Sequence, residues 1–430
     1  MITYSLHSSS LSSLAPDAVI FLENAMHPDL EWTTPHFGVL NEYQKFFIVK
    51  GGAYPVLLAK NIQDAQAGFS HLGTVRTLVV VAPDLLCSID TLKVIDDRFS
   101  RYSKAVSVRC VGQWSEEVLQ LFNCKQILKT LSVSPPNLMT PQIFAETFAS
   151  LIKDDAVTLT VHNKKDLEVL SMGGVLAVSA GSSNEPRLLT LHYAGDPKIK
   201  VLVAGKGVTF DSGGLSLKRS DRMHEMKFDM VGGAEALSVV LLCARMKLPL
   251  TVTAVVPACE NLPSGTAFKP GDVITSYAGK TIEVLNTDAE GRLILADALA
   301  YGIAEYKPDI VVSIATLTSS IFNALGSKIA GYFSSDENLA KQFEDAAKLS
   351  SEYVWRMPLH SGYQDELKSK VADLRNVGKQ RCDGIFAALF LKQFTGDIPW
   401  LHLDMAGVAW KDEAPTGETL LTVWNFLKRL

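Results

Sequence analysis

KVLVAGKGVTFDSGG (Lys200–Gly214) opens as an apolar run and breaks into a glycine-rich stretch carrying one lysine and one aspartate. A short apolar run bounded by glycine has the length of a buried strand, not that of a helix. Working outward, Gly232 to Lys247 places Leu237, Val240, Leu241 and Ala244 at helical spacing and stops before Leu248-Pro249. Thr251–Val256 reads as the next strand, and Leu188–His192 as the one before. Asp272–Tyr277 and Thr281–Leu285 flank Ala278-Gly279-Lys280 as a hairpin, Gly291–Glu305 is helical, and Ile310–Ile314 is again a strand. Strands alternating with helices predict an α/β fold with a mostly parallel central sheet flanked by helices.

A chain of 430 residues is too long for one ordinary core. Its first third carries short apolar runs at Ala18–Leu22, Phe46–Val49, Pro55–Leu58 and Leu78–Val81, with a helical pattern at Trp114–Phe122. No titratable cluster there suggests chemistry. The Pro-containing stretch Ser132–Pro141 and the helix-like Gln142–Lys153 form a natural boundary. The reading is a smaller N-terminal α/β domain over 1–132, a linker and connecting helix over 133–153, and a larger C-terminal domain over 154–430 that holds the chemistry.

A net charge of -5 and a pI near 6.0, with lysine and arginine scattered, argue against nucleic acid or an anionic membrane as the main partner. The mean hydropathy of +0.15 fits a large core or a large subunit interface. Cys87, Cys110, Cys124, Cys243, Cys259 and Cys382 lie far apart with no CxxC pair, which suits reduced, buried thiols better than a disulfide framework. Met1–Pro16 has neither a basic start nor an apolar core, so it reads as neither a signal nor a transit peptide. Ile310–Ser327 is uncharged but crowded with Ser, Thr and Asn, as a strand running into a polar loop and helix would be. A cytoplasmic location is expected, with no membrane partner.

Three segments stand out for chemistry: Gly205–Gly214, Met226–Met230 and Asn286–Leu293 (NTDAEGRL). Asp288 and Glu290 sit two apart where a strand ends and a helix begins, so extended backbone would aim both to one side. Two converging carboxylates repel unless a cation lies between them; the alternative is a helix cap and a favourable first-turn charge. Asp211 follows a strand-like run in a glycine-rich loop, which is a turn former's place as much as a ligand's. The loop's spacing does not match a P-loop. Asp229, just before the helix from Gly232, has an N-cap reading of its own. Together Asp211, Asp229, Asp288 and Glu290 bring four negative charges, which two divalent metals would balance, with Lys206 as a neutral amine ligand. A salt bridge from Lys206 to one of the acids is the plainer alternative.

NTDAEGRL (Asn286–Leu293), KGVTFDSGG (Lys206–Gly214) and the downstream Lys218 resemble the leucyl aminopeptidase family of metallopeptidases. The similarity extends from about Val133 to the C-terminus and includes Glu260-Asn261, Lys269–Asp272, Ala372–Leu374 and Leu403-Asp404. The resemblance implies a cytosolic aminopeptidase acting on peptides with a free N-terminus, with two divalent ions per subunit (Mn²⁺ or Zn²⁺). One ion would be held by Asp211, Asp288 and Glu290, and the other by Lys206, Asp211, Asp229 and Glu290. Lys218 would stabilise developing negative charge, and Arg292 would hold a small anion, in the family thought to be bicarbonate acting as general base. Met226, Thr316, Leu317 and Ser319 would line the pocket for the first substrate side chain. His224 matches no ligand and reads as a surface residue. A homohexamer with catalytic domains at its centre is also implied.

Two segments depart from the family. Ser319 stands where the family usually shows glycine, which would narrow or polarise the pocket. Gly378-Lys379-Gln380-Arg381-Cys382-Asp383-Gly384 is poorer in glycine than its counterpart. Two competing readings remain at this level. One is a DNA-binding role, disfavoured by charge; the other is a catalytically dead scaffold, disfavoured because every matched ligand is present.

Overall fold

The computed structural model describes seven strands within the first 111 residues, and then residues 115–152, 156–196 and 198–430. The chain divides into two compact units, Met1–Gln126 and Ile127–Leu430. The strands of the first are β1 (Ile2–Leu6), β2 (Ala18–Leu22), β3 (Leu30–Glu31), β4 (Gln44–Val49), β5 (Gly52–Ala59), β6 (Thr77–Val81) and β7 (Val106–Val111). They form one sheet in the order β1-β7-β6-β2-β5-β4-β3, parallel as far as β5 and antiparallel beyond it. The apolar runs of the first third fall in β2, β4, β5 and β6.

Helix α1 (Glu116–Val133) runs well past the pattern read at Trp114–Phe122. Cys124, Ile127, Leu128 and Leu131 continue the apolar spacing and are all buried. The turn at Pro135-Pro136 ends it, and α2 (Pro141–Leu151) begins with proline at its first position, where no N–H is needed. Its cap is Thr140, whose hydroxyl accepts from the Ile143 N–H at 3.3 Å.

In the second unit β8 (Val157–His162) is followed by α3 (Lys164–Val169), α4 (Gly173–Ser179), β9 (Arg187–Tyr193), β10 (Lys200–Gly205) and β11 (Gly207–Asp211). Next come α5 (Val231–Arg245), β12 (Thr251–Asn261), β13 (Val273–Thr275), β14 (Thr281–Glu283), α6 (Gly291–Tyr306) and β15 (Ile310–Ala315). The chain continues through α7 (Ser319–Leu325), β16 (Ala330–Ser334), α8 (Glu337–Ser350), β17 (Val354–Arg356), β18 (Leu374–Arg375) and α9 (Asp383–Lys392). It ends with β19 (Trp400–Asp404), the short pair β20 (Trp410–Lys411) and β21 (Ala414–Pro415), and α10 (Leu420–Leu427).

The main sheet has the order β17-β16-β19-β15-β10-β12-β9-β8, with β11 beside β12. Its centre, β19-β15-β10-β12, is parallel, and antiparallel strands close both sides. Alternation along β10 explains why both faces are covered. Leu202 and Ala204 join the cluster built by Leu295 and Leu299 of α6. Gly205 faces the other way, against Gly232 and Gly233 of α5. Helix α5 is buried along nearly its whole length, as a helix apolar all round must be.

One strand is longer than its sequence suggested. The apolar run Thr251–Val256 ends before Pro257, yet β12 continues to Asn261. Proline has no N–H to give a ladder. Here it falls where β12 changes partner, from β10 up to Val255 to β11 from Ala258. The extension carries Asn261 to the strand's carboxyl end. The chain leaves β10 toward β12 on one side and returns through β15 on the other, so β10 marks the switch point where open α/β sheets bind ligands. The Ile310–Ser327 stretch is β15, a loop and α7. No described helix is long and apolar enough to cross a membrane.

Buried behind the central strands, the His402 ring stacks between Trp400 and Phe333, with Nδ1 2.9 Å from the Ser313 hydroxyl. The Trp400 indole N–H donates to the same Ser313 oxygen at 3.1 Å. Burial pushes His402 down to about 3, although the Ser313 contact raises it. The folded protein therefore keeps His402 neutral at pH values where an unfolded chain protonates it. This contribution to stability is complete above about pH 6.5 and drains away as pH falls from there toward 3. His402→Gln is expected to flatten the acid limb of stability against pH by about 1.4 kcal/mol per pH unit between roughly pH 4 and 6. Urea unfolding at a series of pH values, compared with the parent, measures it.

Candidate metal centre

Most site residues stand at or just beyond the carboxyl end of a strand or at the start of a helix that follows, while Lys218 and Met226 lie in the segment between β11 and α5. Lys206 is the single residue between β10 and β11, and is almost fully buried. Its backbone is locked from both sides: its N–H donates to the Ile314 carbonyl at 3.0 Å, and its carbonyl accepts from the Gly233 N–H at 2.7 Å. That second bond requires close approach of α5, and a Cβ on Gly233 would lie 2.6 Å from Val256 Cγ1 and 3.0 Å from the Lys206 carbonyl oxygen. The side chain then passes over Gly291, where a Cβ would come within 2.6 Å of Lys206 Cε. The glycine of NTDAEGRL makes room for the lysine of KGVTFDSGG.

At its end, Lys206 Nζ lies 2.7 Å from Asp229 Oδ1, 2.9 Å from Glu290 Oε1 and 3.1 Å from the Thr316 carbonyl oxygen. Asp229 Oδ1 also accepts from the Thr316 hydroxyl at 2.8 Å. Neither acid caps a helix. The cap position of α5 is Met230, and Glu290, though at the cap position of α6, makes no capping bond. Both side chains are turned to Lys206 instead.

Asp211 ends β11. Its Oδ1 accepts from the Gly213 N–H and from the Asn261 amide, each at 2.8 Å, and its Oδ2 lies 2.7 Å from Lys218 Nζ. Lys218 also touches Asp288 Oδ1. The loop between Asp211 and Lys218 is stitched to NTDAEGRL by Thr287. The Thr287 hydroxyl donates to the Gly213 carbonyl at 2.6 Å and accepts from the Ser216 N–H at 2.7 Å. The first and third ligand segments are thus tied to each other by backbone as well as by charge, and Asp229 joins them through Lys206.

One oxygen from each of Asp211, Asp288 and Glu290 lies within 4.8 Å of the others. Four carboxylates share this place with two ammonium groups, which leaves an excess of buried negative charge. Asp229 Oδ2 and Glu290 Oε2 are buried without a hydrogen-bond donor; Asp288 Oδ1 also lacks a geometrically good one, and its contact is with the Lys218 ammonium. The protonation equilibria show the same strain. Burial pushes Asp229 up to about 8, against the pull of Lys206 and with the push of Asp211 and Glu290. Burial and the charges of Asp211 and Glu290 push Asp288 up to about 7. Asp211 is raised by burial and by Glu290. Glu290 alone is lowered, since Lys206 and Lys218 outweigh its burial. Lys206 and Lys218 are held charged against their own burial, chiefly by Asp229 and Asp211 respectively. Oxygen-rich donors with excess negative charge and unpartnered lone pairs fit divalent cations.

The cluster forms the floor of a cavity of about 700 Å³, whose lining includes Met226, Thr316, Leu317 and Ser319. Phe322 and Trp410 add an aromatic edge. Trp410 stacks on Phe228 with ring centres 5.6 Å apart, and its indole N–H donates to Glu225 at 3.2 Å. Arg292 is not on that lining. It is buried, Nη1 donates to the Asn376 carbonyl at 2.7 Å, and Nη2 donates to both oxygens of Asp383 at 2.8 Å. The guanidinium thus already meets the chain's own Asp383 carboxylate, while its Nε is buried without a hydrogen-bond partner. His224 is exposed, as read.

Three supporting residues had no role in the sequence reading. Asn261, besides holding Asp211, donates to the Thr287 carbonyl at 2.9 Å. Asp404 accepts from the Leu317 N–H at 3.1 Å, the Thr318 hydroxyl at 2.7 Å and the Ala406 N–H at 3.2 Å, and so pins the 316–318 wall. The third is Asp383. Asn261 and Asp404 follow apolar strand runs, the pattern that singled out Asp211, and that signal was there to find them.

An α/β sheet that gathers carboxylates and a buried lysine at its switch point defines the class: a candidate divalent-metal hydrolase centre. The chain belongs to the cytosol aminopeptidase family, whose catalytic-domain profile matches residues 126–424. It is 46% identical over 311 residues to a protein of Nitrosospira multiformis named "Probable cytosol aminopeptidase", covering 71% of this chain and 60% of that one. A protein of the same name from Paraburkholderia phymatum is 46% identical over 354 residues, covering 80% and 70%. Among solved structures, the bottromycin maturation enzyme BotP in complex with Mn superposes with a TM-score of 0.78 at 28% identity, covering 96% of this chain and 99% of that chain.

The arrangement makes a direct prediction about cations. After treatment with a chelator, the protein is expected to take up Mn²⁺, and Asp211→Asn to bind it at least roughly tenfold more weakly. Gly291→Val, which drives Lys206 from its channel, is expected to weaken binding while leaving the circular dichroism spectrum unchanged. Equilibrium dialysis with elemental analysis measures both.

Proposed function

We propose that the protein is a two-metal-dependent aminopeptidase that removes an apolar, leucine-like N-terminal residue from peptides. The observation that carries this reading is the convergence of Asp211, Asp288 and Glu290 beside Lys206 and Asp229 on the floor of a cavity. In this reading Asp211, Asp288 and Glu290 hold one ion, and Lys206, Asp211, Asp229 and Glu290 the other, with Mn²⁺ or Zn²⁺ in either place. When bound, the ions supply a bridging water acidic enough to give hydroxide near neutral pH.

The chain's own residues do the rest. The buried negative charge of the cluster attracts the α-ammonium of a peptide's first residue, a group that an internal peptide bond lacks. That preference makes the enzyme an exopeptidase. Lys218, partly exposed beside Asp211 and Asp288, presents its ammonium to the scissile carbonyl and stabilises the charge that develops on its oxygen. Met226, Thr316, Leu317 and Ser319 receive the first side chain, and Thr316 also orients Asp229 through its hydroxyl. The Ser319 hydroxyl adds bulk and polarity at the wall, favouring residues smaller than leucine's longest competitors. Assembly as a homohexamer in the cytoplasm belongs to the same reading; the exposed Tyr353 and Trp355 on one surface of the second unit suit burial against another copy.

Hydrolysis of Leu-p-nitroanilide is expected to vanish on chelation and to return with Mn²⁺ or Zn²⁺. Asp288→Ala and an N-acetylated substrate should both stay silent, and Lys218→Ala should lower kcat by roughly 10²–10³. If a protein with its metals restored cleaves no free-amine peptide, the substrate class is wrong. In a panel of N-terminal residues, Ser319→Gly is expected to shift kcat/KM toward larger apolar side chains, and an unchanged ranking would remove Ser319 from the pocket's selectivity.

A further inference from the structure

The cavity above the acid cluster is larger than one substrate side chain needs. Its volume of about 700 Å³ falls in the range that encloses a whole small-molecule ligand, roughly 300–1,000 Å³. Beyond Met226, Thr316, Leu317 and Ser319 the lining goes on through Phe322 of α7 and Trp410 of β20. Helix α7 leads away from the floor: Thr316, just ahead of it, is buried and bonded to Asp229, whereas Phe322 is 41% exposed. Phe322 stands three residues past Ser319, on the same side of the helix and about 4.5 Å along its axis. An extended peptide advances roughly 3.3 Å per residue, so the displacement is a step of about one substrate residue.

The backbone brings Trp410 to the same cavity. Gly407, three residues ahead of it, packs so closely on the end of α7 that a Cβ there would lie 2.4 Å from the Gly326 carbonyl oxygen. The ring is then held in place. It stacks on Phe228 and donates its N–H to Glu225, whose Oε2 also accepts from Arg222 Nε at 2.9 Å and lies 2.8 Å from Arg222 Nη2. The turn joining β20 to β21 is the two residues Asp412 and Glu413, both at positive φ (49° and 61°), the form that suits a tight hairpin. A side chain fixed beforehand loses little freedom when a ligand packs on it. Beyond the floor, the charged groups on the lining are Arg222 and Lys411 against Glu225, Asp412 and Glu413. That mixture offers no single sign of charge to select an ionised side chain or a peptide's terminal carboxylate. The two rings are the part of the outer lining with a chemical preference.

We propose that Phe322 and Trp410 form the subsite for the second residue of the substrate, so that the protein favours peptides whose second side chain is bulky and apolar, aromatic above all. The inference rests on the aminopeptidase reading and extends it from the residue removed to the peptide left behind. The first side chain lies by Met226 and Ser319 while the second lies against the rings. Removing that second apolar surface from water helps to hold the scissile bond over the floor.

The test measures kcat/KM for the parent, Phe322→Ala and Trp410→Ala, each with Mn²⁺ restored, on two sets of dipeptides. One set varies the second residue (Leu-Phe, Leu-Leu, Leu-Gly) and the other the first (Leu-Phe, Met-Phe, Ala-Phe). The parent is expected to favour Leu-Phe over Leu-Gly by roughly 10–10²-fold. Phe322→Ala should cut that ratio at least about threefold, and Trp410→Ala as far or further, while the order among first residues stays the parent's. A parent that cleaves Leu-Gly as well as Leu-Phe, or variants that keep the parent's ratio, would overturn the proposal. So would a change confined to the order of first residues, which would put the rings in the first pocket. If no free-amine peptide is cleaved although Mn²⁺ is bound, the aminopeptidase reading has failed and the subsite falls with it. Cleavage without discrimination at the second residue removes the subsite alone. Should Trp410→Ala fold poorly for want of its stack on Phe228, the exposed Phe322→Ala carries the decision.

Discussion

Carboxylates placed close together out of water repel one another, and the second unit is built around a point where four of them meet. Lys206 and Lys218 offset part of that repulsion, and the backbone holds what remains. Asp211 would not stay beside Glu290 without two N–H donors on Oδ1. Glu290 would not stay beside Asp229 without the lysine between them. The strands that deliver these residues are almost wholly buried, so the cost of gathering charge is borne by the packing of β10, β12, β15 and the helices on either face. A protein that only needed to fold would replace such a cluster with apolar side chains. Its retention together with unpartnered oxygens is the physical argument for a ligand of positive charge.

Much of this was legible in the sequence, for reasons that differ by residue. The strand–helix alternation from Leu188 onward was readable because buried parallel strands are apolar on both sides and end in glycine or acid. Asp211, Asp229, Asp288 and Glu290 each had a plain local explanation, and only their combination pointed elsewhere. What local reading cannot see is where a side chain turns when two explanations compete. Asp229 and Glu290 both sit beside helix starts, and in the fold both ignore the helix for Lys206. The length of β12 was hidden for a related reason: Pro257 breaks a run on paper, but not where a strand is changing partners. Arg292 shows a further limit: its guanidinium pairs with Asp383, a contact no local pattern signals. That partner is 91 residues away, in a segment whose spacing carries no pattern.

Glycine has an architectural part here that composition alone does not reveal. Gly233 lets α5 come near enough for its N–H to reach the Lys206 carbonyl, and Gly291 leaves a channel for the lysine's methylenes. The two positions come from different segments and serve one side chain. A buried lysine needs its stem confined as much as its charge paired, because a free stem would let the ammonium find water instead of the acids.

The cavity wall and its floor hang from different pegs. The floor is held by Asn261 and Thr287, which tie Asp211 and its loop to NTDAEGRL. The wall from Leu317 to Ser320 hangs from Asp404 through two of its own groups, the Leu317 N–H and the Thr318 hydroxyl. Their meeting points are narrow, chiefly Thr316 against Asp229. A lineage carrying this scaffold can therefore redraw what it recognises, residue by residue along α7, while the reacting centre is inherited intact. Diversity of diet and constancy of chemistry are separable in such a molecule because different side chains hold them, Asp404 the one and Asn261 with Thr287 the other.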